Sequence, residues 1–473
     1  MKSYGLFING EWKVTKESIT VMNPANDVVV GKVSFGTGDD AKAAVDAAAA
    51  AYPEWSSKTA FERSVHLKSW YEAIENEKVQ LAKTLTLEQG KPLKEAIGEI
   101  DYANSFILWY AEEAKRIYGD IVPPLQKDKR IFVRKQPVGV VAAITPWNFP
   151  AAMITRKVGP ALAAGCTVVI KPSEFTPLTA YYLAELAEKA GMPKGVINIV
   201  TGNPSEIGET WLSDHRVRKI TFTGSTKVGK YLMNKSADTV KKVSLELGGH
   251  APYIVLNDAD IDHAVDSIIK AKFRNGGQTC VCPNRIYVQS GIVDEFTGRF
   301  EKAAASLVVG NGLEDGVDIG PLINDSAVEK VLNHIKDATD KGATLIGDIP
   351  SKSENGRFIK PVILKNVTDE MLCMNEETFG PVAPITTFET VEEVITRAND
   401  SNYGLAAYIF TTKIDQAFRL SEALEFGIVG VNDPLPSVVQ APFGGMKESG
   451  LGREGGYQGI EEFLETQYIS FKL

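Results

Sequence analysis

The sequence predicts an α/β protein with two parallel-sheet domains and a small β arm. Three observations carry this. Short apolar runs rich in Val, Ile and Thr alternate with helical patterns over residues 138–247. A second, less regular alternation fills 248–440, and strands alternating with helices of this length make βαβ units and parallel sheets. Two stretches outside both, 118–137 and 455–473, alternate apolar and polar residues as edge strands do.

In chain order, residues 1–117 read as mainly helical, with Asp39 and Asp40 ahead of the Ala-rich run 41–51, and join 138–247 in one domain. VGVVAAIT (138–145) is a buried strand, 151–164 a helix stopped by Gly165, CTVVIKP a strand and 176–190 a helix stopped by Gly191. VINIVTG, KITFTGS and VSLELGG are the next strands, separated by a short helix from Ser205 and one through Lys230 and Leu232. In the second domain APYIVL, RIYVQS, FIKPVIL, LAAYIFT and GIVGVN read as strands, with helices starting near Asp260, Val293, Val391 and Asp415. The segment 118–137 holds two prolines and the alternating IFVRK, and the chain ends in a similar YISFKL. Uncovered strand edges invite pairing with another chain, which predicts an oligomerisation arm and a homodimer or homotetramer; the alternative is packing back on the parent domain.

The 473 residues carry a net charge of −9 and no Lys/Arg block, which argues against a nucleic-acid or anionic-membrane surface. No apolar run reaches the ~18 residues that span a bilayer. The start, MKSYGLFINGEW, lacks a charged-then-apolar signal pattern, so a cytoplasmic protein is expected. Four cysteines are too few for a disulfide scaffold, and the five histidines form no HxxxH or Cys–His ligand spacing, so no metal is expected. Scarce histidine also turns any catalysis toward carboxylates or cysteine.

Gly224 to Tyr231 nearly matches the phosphate-binding pattern GxxxxGK[ST] between a strand and a helix, but Tyr231 replaces the Mg²⁺-binding Ser/Thr, which disfavours an NTPase. The turn at Gly224, Ser225 and Gly229 still offers backbone N–H groups to a phosphate; the alternative is a tight turn without ligand. GLGREG (450–455) matches GxGxxG, but no strand leads into it, so it reads as a loop. Lys171, Ser173 and Glu174 end a strand, where parallel sheets face their ligands; surface charge is the alternative.

Cys280 lies in the polar, tight run NGGQTCVC, a setting for a thiolate nucleophile rather than a core cysteine. Cys166 reads as packing, and Cys280-x-Cys282 lacks the second pair that a metal site needs. Glu246, between two leucines on an apolar strand, is either paired or held with a raised pKa for proton transfer. Asn148, in PWNFP at the end of the first strand, can offer an amide to an oxyanion or serve only the turn.

TPWNFP, KPSE, FTGST, LELGG, GQTC, EETFGP and PFGGMKESGLGRE occur in this order, and together they resemble the aldehyde dehydrogenase superfamily over nearly the whole chain. The resemblance implies a Rossmann-like cofactor domain, a second α/β catalytic domain and a small β oligomerisation arm. It implies that Cys280 attacks the aldehyde carbon, that the Asn148 amide and the Cys280 N–H hold the oxyanion, that hydride passes to a nicotinamide, and that Glu246 activates water against the thioester. Lys171, Ser173 and Glu174 would hold the adenosine ribose, Glu377 the nicotinamide ribose, and Trp147, Gly224, Ser225, Gly229 and Phe379 would line the dinucleotide path. A carboxylate at Glu174 favours NAD and repels the 2′-phosphate of NADP, which stays possible.

Within the superfamily MITRK, FRNGGQTCVC and the Ser before PFGG look most similar to succinate-semialdehyde dehydrogenases. That implies a distal carboxylate held by Arg156 and Arg274 with Ser437 alongside, and a redox partner, Cys282, for Cys280. Taken alone, Arg156 reads as helix surface and Arg274 as a helix C-terminal charge. The loop NDPLPSVVQAP departs from that group, which leaves glutarate semialdehyde or a hydroxyaldehyde as alternatives. A Cys-dependent thioester or ester hydrolase is the reading from a different class; the ribose-binding Lys171, Glu174 and Glu377 argue for the dehydrogenase.

Overall fold

The structure, a computed structural model, describes residues 2–348 and 356–473. The strands read between 138 and 247 form one sheet: parallel strands Lys242–Glu246, Val217–Thr223, Val140–Ile144, Thr167–Lys171 and Ile197–Ile199 lie side by side in that order. Their Val, Ile and Ala side chains are buried on both faces, as a parallel sheet between helix layers requires. Helices Ala152–Ala164, Pro177–Lys189, Pro204–Ser213 and Thr226–Ser236 are the crossovers.

The first residues differ from the helical expectation. Strands Lys2–Tyr4, Leu6–Ile8, Glu11–Lys13, Ser18–Met22 and Val29–Ser34 precede the first helix, Gly38–Ser57. Leu6–Ile8 pairs antiparallel with the edge strand Ile197–Ile199, and Glu11–Lys13 extends the sheet outward. The three strands of three residues are too short to show a period of two, so only their pairing defines them, whereas Ser18–Met22 and Val29–Ser34 are longer and pair antiparallel with each other. From Gly38 onward the helical expectation and the structure coincide: Ala60–Asn76, Lys78–Gln89 and Leu93–Glu113 follow.

The second sheet is built on Ala251–Val255, Pro283–Gln289, Val362–Lys365, Ala406–Phe410 and Ile428–Val431. A further strand, Val382–Phe388, sits inside it between Val362–Lys365 and Pro283–Gln289. Pro384 within that run is a signal against an inner strand. Helix Asp325–Asp340 is likewise absent from the sequence reading. Its Val328, Val331, Ile335 and Ala338 are buried in the core of this half.

Outside both sheets Lys129–Pro137 pairs antiparallel with Leu464–Lys472 along its whole length, from Lys129↔Lys472 to Pro137↔Leu464, and Asp120–Val122 adds a third strand. The two alternating segments read from the sequence are thus neighbours. Leu464–Lys472 and Asp120–Val122 are the two edges, and Ile121, Tyr468 and Phe471 remain exposed on this sheet. Among the described residues no helix is long and apolar enough to cross a membrane.

The fold positions the site through strand ends. Val140–Ile144 leads into Trp147 and Asn148, Val217–Thr223 into Gly224, and Glu246 is the last residue of its own strand. After helix Ile261–Phe273 the backbone enters the left-handed region at Asn275, Gly276 and Gly277 (φ 52°, 63° and 76°), and this coil carries Thr279 and Cys280.

Candidate active site

Two cavities meet at Cys280. One, of about 260 Å³, is lined by Glu95, Tyr102, Phe149, Met153, Arg156, Arg274, Thr279, Ser437 and Phe443 among others. The other, of about 330 Å³, is lined by Trp147, Asn148, Gly224, Ser225, Leu247, Glu377 and Phe379 among others. Cys280 lines both, so a group entering from each side reaches the same sulfur.

Desolvation pushes the Cys280 thiol up to about 12; Arg156 works against it, Glu377 and Glu246 reinforce it, and Arg274 opposes it more weakly. The Cys280 carbonyl lies against Gly249, where a Cβ would come within 2.0 Å of that oxygen. The second glycine of LELGG therefore lets two backbones touch at the nucleophile.

Asn148 is buried beside this loop. Its Nδ2 donates to the Gln278 carbonyl at 3.0 Å, and its Oδ1 accepts from the Phe149 N–H at 3.1 Å. Glu246 is 4% exposed, and its Oε2 has no hydrogen-bond partner among the described residues. Burial, then the neighbouring Glu454 carboxylate, holds the Glu246 carboxyl well above the usual carboxylate range. That is the state of a group ready to exchange a proton rather than to hold a permanent charge.

Sequence reasoning missed Glu454. The GLGREG segment is no free loop: Gly450 pairs with Glu246 and Leu451 with Leu245, which brings Glu454 into the interior. There Glu454 forms ion pairs with Arg156 and Lys157, both buried. Lys157 Nζ also donates to Thr223 Oγ1 at 2.5 Å. Arg156 is thus no helix-surface residue; its guanidinium also stacks 4.0 Å over the Phe443 ring. Arg274 caps the end of its helix, as its position suggested, but its buried Nε has no hydrogen-bond partner among the described residues, and it lines the cavity with Ser437.

On the other side Trp147 and Phe379 meet edge to face, centroids 5.6 Å apart. Glu377 accepts from the Gly249 N–H at 3.0 Å, and desolvation raises its carboxyl to about 7. Ser225 caps helix Thr226–Ser236 by accepting from the Val228 N–H at 3.4 Å, leaving a positive helix end at the cavity. Flat aromatic walls, the Glu377 carboxyl and this helix end suit a pyrophosphate-linked dinucleotide. Gly229 stands apart from the cavity wall: a Cβ there would come within 2.3 Å of Leu247 Cδ2, so it serves the packing of helix on strand. Lys171 and Glu174 lie outside this cavity, paired with each other at 3.4 Å, and the Ser173 hydroxyl accepts from the Phe175 N–H at 3.3 Å. Glu174 borders a separate cleft with Glu88 and Phe175.

Cys282 lines neither cavity. Its buried Sγ faces Lys272 Nζ at 3.3 Å, and the same ammonium donates to Asn284 Oδ1 at 2.9 Å. The four cysteines are free thiols.

The pattern of the Aldehyde dehydrogenase family matches residues 12–469. The chain belongs to this family. It is 53% identical to the succinate-semialdehyde dehydrogenase [NADP(+)] of Escherichia coli (strain K12), over 98% of this chain and 97% of that protein. It is 53% identical to the glutarate-semialdehyde dehydrogenase of Pseudomonas putida, over 98% of this chain and 96% of the relative. The solved succinate-semialdehyde dehydrogenase of Burkholderia pseudomallei is 49% identical and superposes with a TM-score of 0.98, covering 99% of this chain and 98% of that one. The α/β architecture is that of the family, and NAD(P) is the family's cofactor.

Proposed function

We propose that this aldehyde dehydrogenase oxidises succinate semialdehyde to succinate, with NAD preferred over NADP. The observation that carries the substrate is the unpartnered Arg274 Nε in the Cys280 cavity. A planar guanidinium with an empty donor, in a cavity that Ser437 also lines, suits a carboxylate at the far end of a short aldehyde. Arg156 is ion-paired with Glu454, but its Nη2, also without a hydrogen-bond partner among the described residues, is a second donor in the same cavity.

In this reading Cys280 first gives up its thiol proton to water, and the thiolate adds to the aldehyde carbon and forms a thiohemiacetal. The Asn148 amide and the Cys280 N–H hold the oxygen as it becomes negative. The cofactor, when bound, accepts hydride. Collapse of the oxyanion leaves a thioester on Cys280. Glu246 takes a proton from water, the hydroxide adds to the thioester carbon, and the C–S bond breaks, which frees the carboxylic acid and returns the thiolate to Cys280. The ion-paired Glu454 beside it supports ready proton exchange, since two adjacent carboxylates resist ionising together.

Lys171, Ser173 and Glu174 sit at a strand end, which supports their part in holding the adenosine ribose. Glu174 is the basis for preferring NAD, whereas the Escherichia coli relative is named for NADP. Glutarate semialdehyde, the substrate in the name of the Pseudomonas relative, is the alternative one methylene longer. The composition and the free cysteines support a reducing, cytoplasmic setting. The open edge Leu464–Lys472, with Tyr468 and Phe471 exposed, supports a homodimer or homotetramer joined through this arm.

The test is NADH formation with a panel of aldehydes, for the parent chain and Glu174→Ser. The highest kcat/KM is expected for succinate semialdehyde, and Glu174→Ser shifts the NADP/NAD ratio upward. Greatest efficiency with an uncharged aldehyde refutes the substrate; an unchanged ratio refutes the role of Glu174.

A further inference from the structure

Asn148 is held by more than its own turn. Its backbone carbonyl accepts from Lys91 Nζ at 2.8 Å and from Asn275 Nδ2 at 3.1 Å. The Lys91 side chain is 1% exposed, and its ammonium also meets Glu99 Oε2 at 2.6 Å and the Phe149 ring at 3.8 Å. The other Glu99 oxygen accepts from the Ala151 and Ala152 N–H groups at 3.0 and 3.4 Å, at the start of the helix that carries Arg156. Gln89 completes the link: its Nε2 donates to Asn275 Oδ1 at 3.0 Å, and its Oε1 accepts from the Lys91 N–H at 2.9 Å.

The mechanism above uses none of Gln89, Lys91 or Glu99. Burying an ammonium costs several kcal/mol before pairing, and a buried ion pair is often matched in stability by apolar residues. Stability alone is a weak reason for this pair. The third contact points to another: a charged donor fixes the peptide whose side chain faces the nucleophile's loop, and it does so 57 residues away in sequence.

We propose that Lys91 is a positioning residue for the oxyanion. Its charge-assisted bond to the Asn148 carbonyl locks the Pro146–Pro150 turn, while Glu99 ties the same ammonium to helix Ala152–Ala164 and Gln89 ties the neighbouring backbone to Asn275. Three segments that must hold Asn148 and Cys280 in register are thereby joined at one ammonium. A misplacement of about 1 Å at a reacting centre costs up to about a hundredfold in rate, so the lock acts on kcat. The inference rests on the reading of Asn148 as the oxyanion donor.

The experiment removes the pair together, as Lys91→Met with Glu99→Gln, so that no lone charge stays buried. In the parent background kcat falls about tenfold to a hundredfold, while KM for NAD and for aldehyde stays within about twofold. In an Asn148→Ala background the same pair of changes costs nothing further, because the amide it positions is gone. Alkylation of Cys280 by iodoacetamide, which needs a formed site but no oxyanion donor, keeps its parent rate. An equal kcat loss in both backgrounds, or loss of alkylation together with activity, overturns the positioning role. Full kcat in Asn148→Ala alone overturns the reading of Asn148 first, and the inference with it.

Discussion

Replacing Arg274 by Ala tests the carboxylate site most directly. The residue lines the Cys280 cavity with a buried Nε that has no partner among the described residues, whereas Arg156 is ion-paired with Glu454. Arg156 Nη2 is likewise buried without a hydrogen-bond partner among the described residues, so Arg274→Ala removes one of two guanidinium donors in this cavity. Hydrogen bonds to a charged group contribute about 1.5–3 kcal/mol. At about 1.4 kcal/mol per decade, Arg274→Ala lowers kcat/KM for succinate semialdehyde by about ten- to a hundred-and-fiftyfold, mainly through KM. Butyraldehyde has the same carbon chain without the carboxylate, and its kcat/KM changes by less than about threefold, since it makes no such bond. Arg274→Lys keeps the charge and loses the fork, so its effect lies between. The assay is NADH absorbance at saturating NAD for both aldehydes. Equal losses for the two sink the reasoning, because they mean that Arg274 shapes the site without contacting the carboxylate.

The other predictions concern the chemistry at Cys280. Glu246→Gln leaves a single-turnover burst of NADH but slows steady-state turnover by about 10²–10⁴-fold; loss of the burst as well would place Glu246 before hydride transfer. The Glu377 carboxyl titrates at about 7, so it is ionised and able to accept a ribose hydroxyl above that pH and protonated below it. KM for NAD therefore rises as pH falls from 8 to 6, and Glu377→Gln removes this dependence; a Gln variant with the parent profile refutes the contact. Peroxide followed by thiol rescue tests the proposed Cys280–Cys282 pairing. Because Cys282 Sγ faces Lys272, pairing requires it to swing away, and Cys282→Ala should be inactivated without rescue.

Much of the site is legible in the sequence because its signals are local. A polar glycine-rich turn around a cysteine, a carboxylate at the end of an apolar strand and an amide in a proline-rich turn all stand out against their neighbours, and the strand–helix alternation puts them at strand ends. The arm was readable from alternation alone, although which strand it pairs with was not. Glu454 illustrates the reverse. The GLGREG segment looks like a flexible loop, and only its pairing with Glu246 across the sheet edge buries the glutamate against Lys157, 297 residues away.

Local pattern determined the α/β class and singled out Cys280, Glu246 and Asn148, since periodicity and turn chemistry act over a few residues, and the order of the motifs carried the resemblance to the family and the roles it implies. The tertiary structure decided the N-terminal strands, the inner strand through Pro384, the pairing of Arg156 with Glu454, and the placing of Lys91 on the Asn148 carbonyl. Each of these depends on which distant group fills a buried valence, and burial is a property of the packed chain rather than of any segment of it.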